Sequence, residues 1–254
     1  MVKGARFLSN KVPAVTGAFW AIKILSTTVG ETGADTLAVN AGLGRTTTTL
    51  GMVALLMVFL VAQLRARAYV PWLYWLVVIL ISVVGTQLTD ALTDGLGVSL
   101  YVSTAAFCVC LAAVFACWYA RERTLSIKHV DTFPRELFYW TAVLFTFALG
   151  TAAGDLATEA LGLGFRWGTV AFGVAIALTF AAWRLGVNEV LAFWIAYIMT
   201  RPFGAALGDL LTQSRDYGGI GLGPLVTSII FLSIIATLVG REQVRSSRAT
   251  ASHA

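Results

Sequence analysis

One pattern recurs four times along this chain and limits its fold more than any other feature. Gly30 and Asp35 follow Trp20 by ten and fifteen residues. Gly85 and Asp90 hold the same places after Trp75, Gly150 and Asp155 after Trp140, and Gly204 and Asp209 after Trp194, with no gaps. Each unit then passes a Gly-Leu-Gly turn, at Gly42-Leu43-Gly44, Gly95-Leu96-Gly97, Gly162-Leu163-Gly164 and Gly221-Leu222-Gly223, and a second apolar segment follows. A unit repeated in tandem buries its apolar face against its neighbours, so the four units predict one stacked assembly. We call the segment carrying Trp and Asp helix A and the one after the turn helix B.

Composition supplies the solvent. The 254 residues are 58% hydrophobic and 12% charged, with a mean hydropathy of +0.80, more apolar surface than a soluble chain of this length can hide. A hydrocarbon core of ~30 Å needs roughly 20 apolar residues per helix. Runs that approach this length occupy Leu50–Leu64, Val70–Val84, Leu100–Ala120, Phe138–Leu149, Thr169–Trp183, Val190–Met199 and Leu225–Val239. Four A–B pairs predict an all-α polytopic bundle of about eight transmembrane helices. An even number of spans per repeat makes every A helix cross in the same direction, so the repeats are expected to be parallel, about an axis along the membrane normal. The tryptophans lie 55, 65 and 54 residues apart, and the larger middle gap holds the polar stretch Arg121–Glu136. The expected organisation is therefore a first half over 1–120, a linker loop over 121–136, a second half over 137–241 and a disordered tail over 242–254.

Basic residues orient the bundle. The termini and B-to-A loops carry thirteen Lys or Arg (Lys3, Arg6, Lys11, Arg65, Arg67, Arg121, Arg123, Lys128, Arg135, Arg184, Arg241, Arg245, Arg248). The A-to-B turns carry only Arg45, Arg166 and Arg215. The positive-inside rule then places both termini and the middle loop in the cytoplasm of a bacterial inner membrane. The net charge of +5 is thus a cytoplasmic rim, with no nucleic-acid partner. No signal peptide is evident, since the first residues are mostly polar or basic.

Ionisable side chains inside membrane spans cost ~2.5–3.5 kcal/mol each on insertion scales. Here they repeat. Asp35, Asp90, Asp155 and Asp209 share one helix position, and three have a second carboxylate four residues away: Glu31, Asp94 and Glu159. That spacing puts both acids on one helix face. Gln213 takes the partner place in the fourth repeat. The seven carboxylates are expected to form one metal-binding cluster, in an outer vestibule or at mid-membrane. Two bases, Lys23 and Arg201, fall within A helices two turns before Glu31 and Asp209 and are read as counter-ions. Gly30, Gly85, Gly150, Gly204 and Pro202 are read as hinge or packing positions, able to break the helix or let neighbours approach.

The ligand set narrows the chemistry. Carboxylates, with the hydroxyls of Thr27, Thr28, Thr86, Thr89 and Thr151, are hard oxygen donors that suit Mg²⁺, Ca²⁺, Mn²⁺ or Na⁺. Cys108, Cys110 and Cys117 lie together in one apolar run, away from the acids, and read as small core residues. His129 and His253 join no cluster, and no Ser-His, Cys-His or metal–His constellation suggests an enzyme. No organic cofactor is expected.

The stretch Lys11-Val12-Pro13 through Thr27-Thr28-Val29-Gly30-Glu31-Thr32-Gly33-Ala34-Asp35, with three weaker copies ending in Gly-Leu-Gly, resembles the bacterial four-repeat "membrane-anchored" proteins of unknown function. The resemblance covers nearly the whole chain and carries no activity to transfer. Gly154-Asp155 and Gly208-Asp209 are similar to the Glu-x-Gly-Asp motif of cation/proton exchangers, although Leu156 and Leu210 stand where that motif continues with basic and hydroxyl residues. The reading from residues is a secondary transporter or exporter of a small divalent cation, manganese-like, coupled to protons through the carboxylates. The alternatives are a proton-coupled transporter of a small organic solute and a membrane scaffold or sensor with structural acids. The partners are the lipid bilayer and the small cation or solute, and a homo-oligomer is compatible with all three.

Overall fold

The computed structural model describes residues 10–35 and 45–251, with side chains over 10–33 and 46–247. The first Gly-Leu-Gly turn and the side chain of Asp35 lie outside them. Among the described residues the regular elements are all helical: α1 (Gly17–Asp35), α2 (Arg45–Arg65), α3 (Pro71–Asp90), α4 (Leu100–Glu122), α5 (Phe133–Asp155), α6 (Gly164–Arg184), α7 (Glu189–Thr212) and α8 (Pro224–Ala251). Local chemistry sets their ends. Proline in the first turn opens α3 and α5, where its missing N–H costs nothing. The side chains of Ser99 and Asn188 accept from the first amides of α4 and α7. The second glycine of each described Gly-Leu-Gly turn, Gly97, Gly164 and Gly223, takes a positive φ that a β-carbon would strain.

Among the described residues seven helices, α2 to α8, are long and apolar enough to cross a membrane. α1 falls short because Lys23, Glu31 and Asp35 interrupt it. The odd-numbered helices, each an A helix, form the inner ring: α1 packs on α3, α3 on α5, α5 on α7, and α7 returns to α1. Each B helix covers the A helix of the next repeat, α2 on α3, α4 on α5, α6 on α7 and α8 on α1. The B helices bury only 6 to 17% of their spans, against 56 to 67% for α3, α5 and α7, so they form an apolar outer coat.

The same register holds at all four junctions. The aromatic one residue before each tryptophan meets the next repeat's tryptophan: Phe19 with Trp75 (ring centroids 5.5 Å apart), Tyr74 with Trp140 (5.3 Å), Tyr139 with Trp194 (6.3 Å) and Phe193 with Trp20 (5.7 Å). The repeat glycine, ten residues after the tryptophan, meets the residue seven after the next one. A Cβ on Gly85 would lie 2.8 Å from Phe147 Cβ and one on Gly204 2.6 Å from Thr27 Cγ2, while one on Gly30 would strike Ser82 and one on Gly150 the side chain of Arg201. Beyond them, position fourteen meets position eight: Thr89 Oγ1 donates to the Ala148 carbonyl (3.1 Å), and Gly154 and Gly208 lie against Pro202 and Thr28.

The positions read as hinge or packing, Gly30, Gly85, Gly150, Gly204 and Pro202, lie in helix–helix contact, and the helices run unbroken through them. Other expectations change. The tail expected to be disordered continues α8 as far as Ala251, and its Glu242 accepts from Tyr69 OH (2.8 Å) and Trp75 Nε1 (3.2 Å). The expected halves also share one ring: α3 and α5, from different halves, pack through the same contacts as α1 and α3. The polar stretch 121–136 shortens, since Arg121 and Glu122 close α4 and 133–136 begin α5.

Candidate functional site

A polar column runs up the inside of the ring. At the tryptophan end, the buried hydroxyls of Tyr74 and Tyr139 are hydrogen-bonded to each other. Next comes Lys23, 1% exposed, with Nζ 3.7 Å from the centre of the Phe147 ring, 4.4 Å from that of Tyr197 and 3.5 Å from Thr27 Oγ1. One turn further along α7 is Arg201, 0% exposed. Its Nη2 donates to Glu31 Oε2 of α1 (2.7 Å) and to Thr86 Oγ1 of α3. Its Nε and Nη1 have no hydrogen-bond partner among the described residues.

The acids lie at the far end. Asp35, Asp90 and Asp155 are the last residues of α1, α3 and α5, and Asp209 lies in the last turn of α7. Asp90, Asp155 and Asp209 are half-buried. Asp94 and Glu159 are exposed, on π-helical turns (Ala91–Gly95 and Leu156–Ala160) that follow Asp90 and Asp155 directly. Such turns are rare and concentrate at functional sites. The Asp155 carboxyl is within electrostatic reach of Glu31, Glu159, Arg201 and Asp90, and Glu159 within reach of Asp94 and Glu31. These acids therefore share one end of the bundle, where the helix C-termini add partial negative charge. Among the described residues, no three His, Cys, Asp or Glu side chains come close enough to enclose a metal ion.

The expected counter-ions take other partners. Arg201 pairs with Glu31 on the adjacent helix rather than with Asp209. Eight residues of helix separate Arg201 from Asp209, about 12 Å of rise, beyond ion-pair distance. Lys23 makes no ion pair among the described residues and packs on aromatic faces instead. The hydroxyls expected as ligands mostly donate to backbone carbonyls, Thr27 to Lys23 O (2.9 Å), Thr28 to Gly204 O (2.8 Å) and Thr151 to Phe147 O (3.1 Å). A second polar cluster, at the tryptophan end, escaped the sequence reading. Lys11 Nζ, buried, donates to Glu136 Oε2 (2.5 Å) and to the Leu64 carbonyl (3.1 Å), and Gln63 reaches Glu136 Oε1 (3.3 Å). Its residues belong to no repeat position, so only the burial of two opposite charges reveals it.

A closed ring of repeats with an apolar coat and a polar interior defines a multi-span helical membrane protein. Its sequence matches the family described as "Repeat of Unknown Function (DUF347)" four times, over residues 18–69, 73–124, 138–185 and 192–248, and the chain belongs to that family. No curated protein and no solved structure matches it.

Proposed function

We propose that the protein is a secondary transporter of a small divalent cation, manganese-like, exchanged for protons at the acidic end of the ring. In this reading α1, packed between α3, α7 and α8, crosses the membrane as the eighth span, shielded from lipid by its neighbours. The repeats are parallel and both termini are cytoplasmic in a bacterial inner membrane.

One observation carries the proposal. Carboxylates crowd at this end: Asp155 lies within electrostatic reach of Glu31, Glu159 and Asp90, and Glu159 within reach of Asp94 and Glu31. A purely structural set would balance its charges, because like charges crowded at low dielectric repel. An excess of carboxylates is stabilised by a bound cation or by protons, and the two compete for the same oxygens, which couples their movements.

The test is flux in proteoliposomes under a pH gradient, with Mn²⁺, Ca²⁺, Mg²⁺ and Na⁺ in turn. The parent protein is expected to move at least one of them, and Asp155→Asn and Asp209→Asn to abolish flux while the protein still inserts. Asn keeps the shape but removes the charge and the titratable proton. Equal flux in both variants would sink the carboxylate mechanism, and no flux of any of these ions by the parent would favour a scaffold.

A further inference from the structure

The four-fold register of the ring breaks at three interior positions. Three residues after the tryptophan stand Lys23, Val78, Val143 and Tyr197; seven after stand Thr27, Ser82, Phe147 and Arg201; eleven after stand Glu31, Thr86, Thr151 and Ala205. Both bases and the single acid thus fall on α1 and α7, which adjoin each other. A role common to all four junctions would recur in every repeat, as the glycines do. This one is confined to a single junction.

Lys23 and Arg201 are both fully buried, and among the described residues the one carboxylate hydrogen-bonded to either is Glu31, held by Nη2 alone. Both bases lie against one ring, Lys23 Nζ at 3.7 Å and Arg201 Cζ at 5.8 Å from the centre of Phe147. Arg201 Nε and Nη1 are buried donors with no acceptor among the described residues. Leaving a buried donor of a charged group unmade is costly. A planar guanidinium with free N–H groups, beside an ammonium, is the donor set that recognises an anion.

We propose that the centre of the ring, between Lys23 and Arg201, binds a small anion: a halide or the carboxylate of a small organic acid. The site adjoins the acids through Glu31 but does not depend on cation transport, since it is read by binding alone.

The experiment uses the full chain in lipid nanodiscs, in the salt of a bulky sulfonate too large for the bundle interior. Sodium chloride or sodium formate is titrated in at constant ionic strength while thermal unfolding is followed. A saturating rise in midpoint is expected, roughly 5 °C at about 100 times Kd. A response to chloride alone identifies a halide site, and one to formate, alone or more strongly than chloride, a carboxylate site. The rise should vanish in Arg201→Gln and shrink in Lys23→Met, while Arg121→Gln, on the outer surface, keeps it. Flat titrations of the parent, or an unchanged rise in the Arg201 and Lys23 variants, overturn the proposal. Should neither variant fold, crystals of the parent grown in bromide decide the matter: an anomalous peak between Lys23 and Arg201 supports the site, and a peak only elsewhere, or none, removes it.

Discussion

Arg201 of α7 reaches across the ring junction to Glu31 of α1 and places Nη2 2.7 Å from Oε2, the guanidinium being buried and the carboxylate 13% exposed. This contact ties the last repeat to the first and closes the ring. Its geometry also sets the polarity of the column, because it is where the basic interior meets the acidic end.

Breaking such a pair strands a charge in low dielectric, at about 3–5 kcal/mol. Arg201→Gln and Glu31→Gln are each expected to lower folded yield and thermal midpoint. The double variant should recover part of the loss, since neither charge is then left alone. Midpoints of the four proteins form a double-mutant cycle, and strict additivity would show that the two residues are not coupled.

The ring glycines make a steric prediction. Gly85→Ala puts a methyl 2.8 Å from Phe147 Cβ and 3.3 Å from the Ala148 backbone nitrogen, where the neighbour has no room to give. Gly204→Ala meets Thr27 and the Ile24 carbonyl in the same way. Each should cost about 1–3 kcal/mol, the usual penalty of overpacking. Gly17→Ala and Gly51→Ala, with nothing within 4 Å, serve as controls and should be neutral or slightly stabilising. Thermal midpoints in a common detergent compare all four.

The repeat was readable because its residues do one job four times. The Trp–Gly–Asp register appears in the structure as one junction copied around a ring, and the glycines mark closest approach. What the sequence hid is what the repeats do not share. Nothing in the spacing of Arg201 or Lys23 says which neighbouring helix each faces, so a partner on the same helix was the natural expectation. That choice fails because two turns of helix outreach a side chain. Likewise the four-residue spacing of the paired acids assumes an α-helix, whereas Asp94 and Glu159 sit on π turns. The Lys11–Glu136 pair spans 125 residues and depends on the segment before α1 meeting the start of α5, which no local pattern encodes.

Orientation is checked by labelling. In a background lacking Cys108, Cys110 and Cys117, a cysteine at His129 should be protected from an impermeant maleimide in intact cells, and one at Tyr217 should react. Both positions are exposed, so reactivity reports the side of the membrane. Labelling of the His129 position from outside would reverse the positive-inside assignment.

The last prediction concerns the anchor beneath α1. Lys11 precedes the helix by six residues, yet its ammonium is buried between Glu136 and the Leu64 carbonyl, and its backbone N–H donates to the Val130 carbonyl (3.3 Å). This contact fixes the entry of α1 against the end of α2 and the start of α5. α1 is the least apolar of the four inner-ring helices, so it relies on its neighbours more than on lipid. Lys11→Met is expected to leave Glu136 charged and unpaired and to destabilise the bundle by about 3–5 kcal/mol, with Glu136→Gln losing less because Gln can still bond Lys11 and Gln63. The loss should be local first. Hydrogen exchange at the start of α1 is expected to quicken in Lys11→Met, while amides at the centre of α3 and α5 keep their protection. Uniform acceleration across all helices would instead make the pair a global clamp, and unchanged exchange in α1 would show that the helix is held by the ring alone.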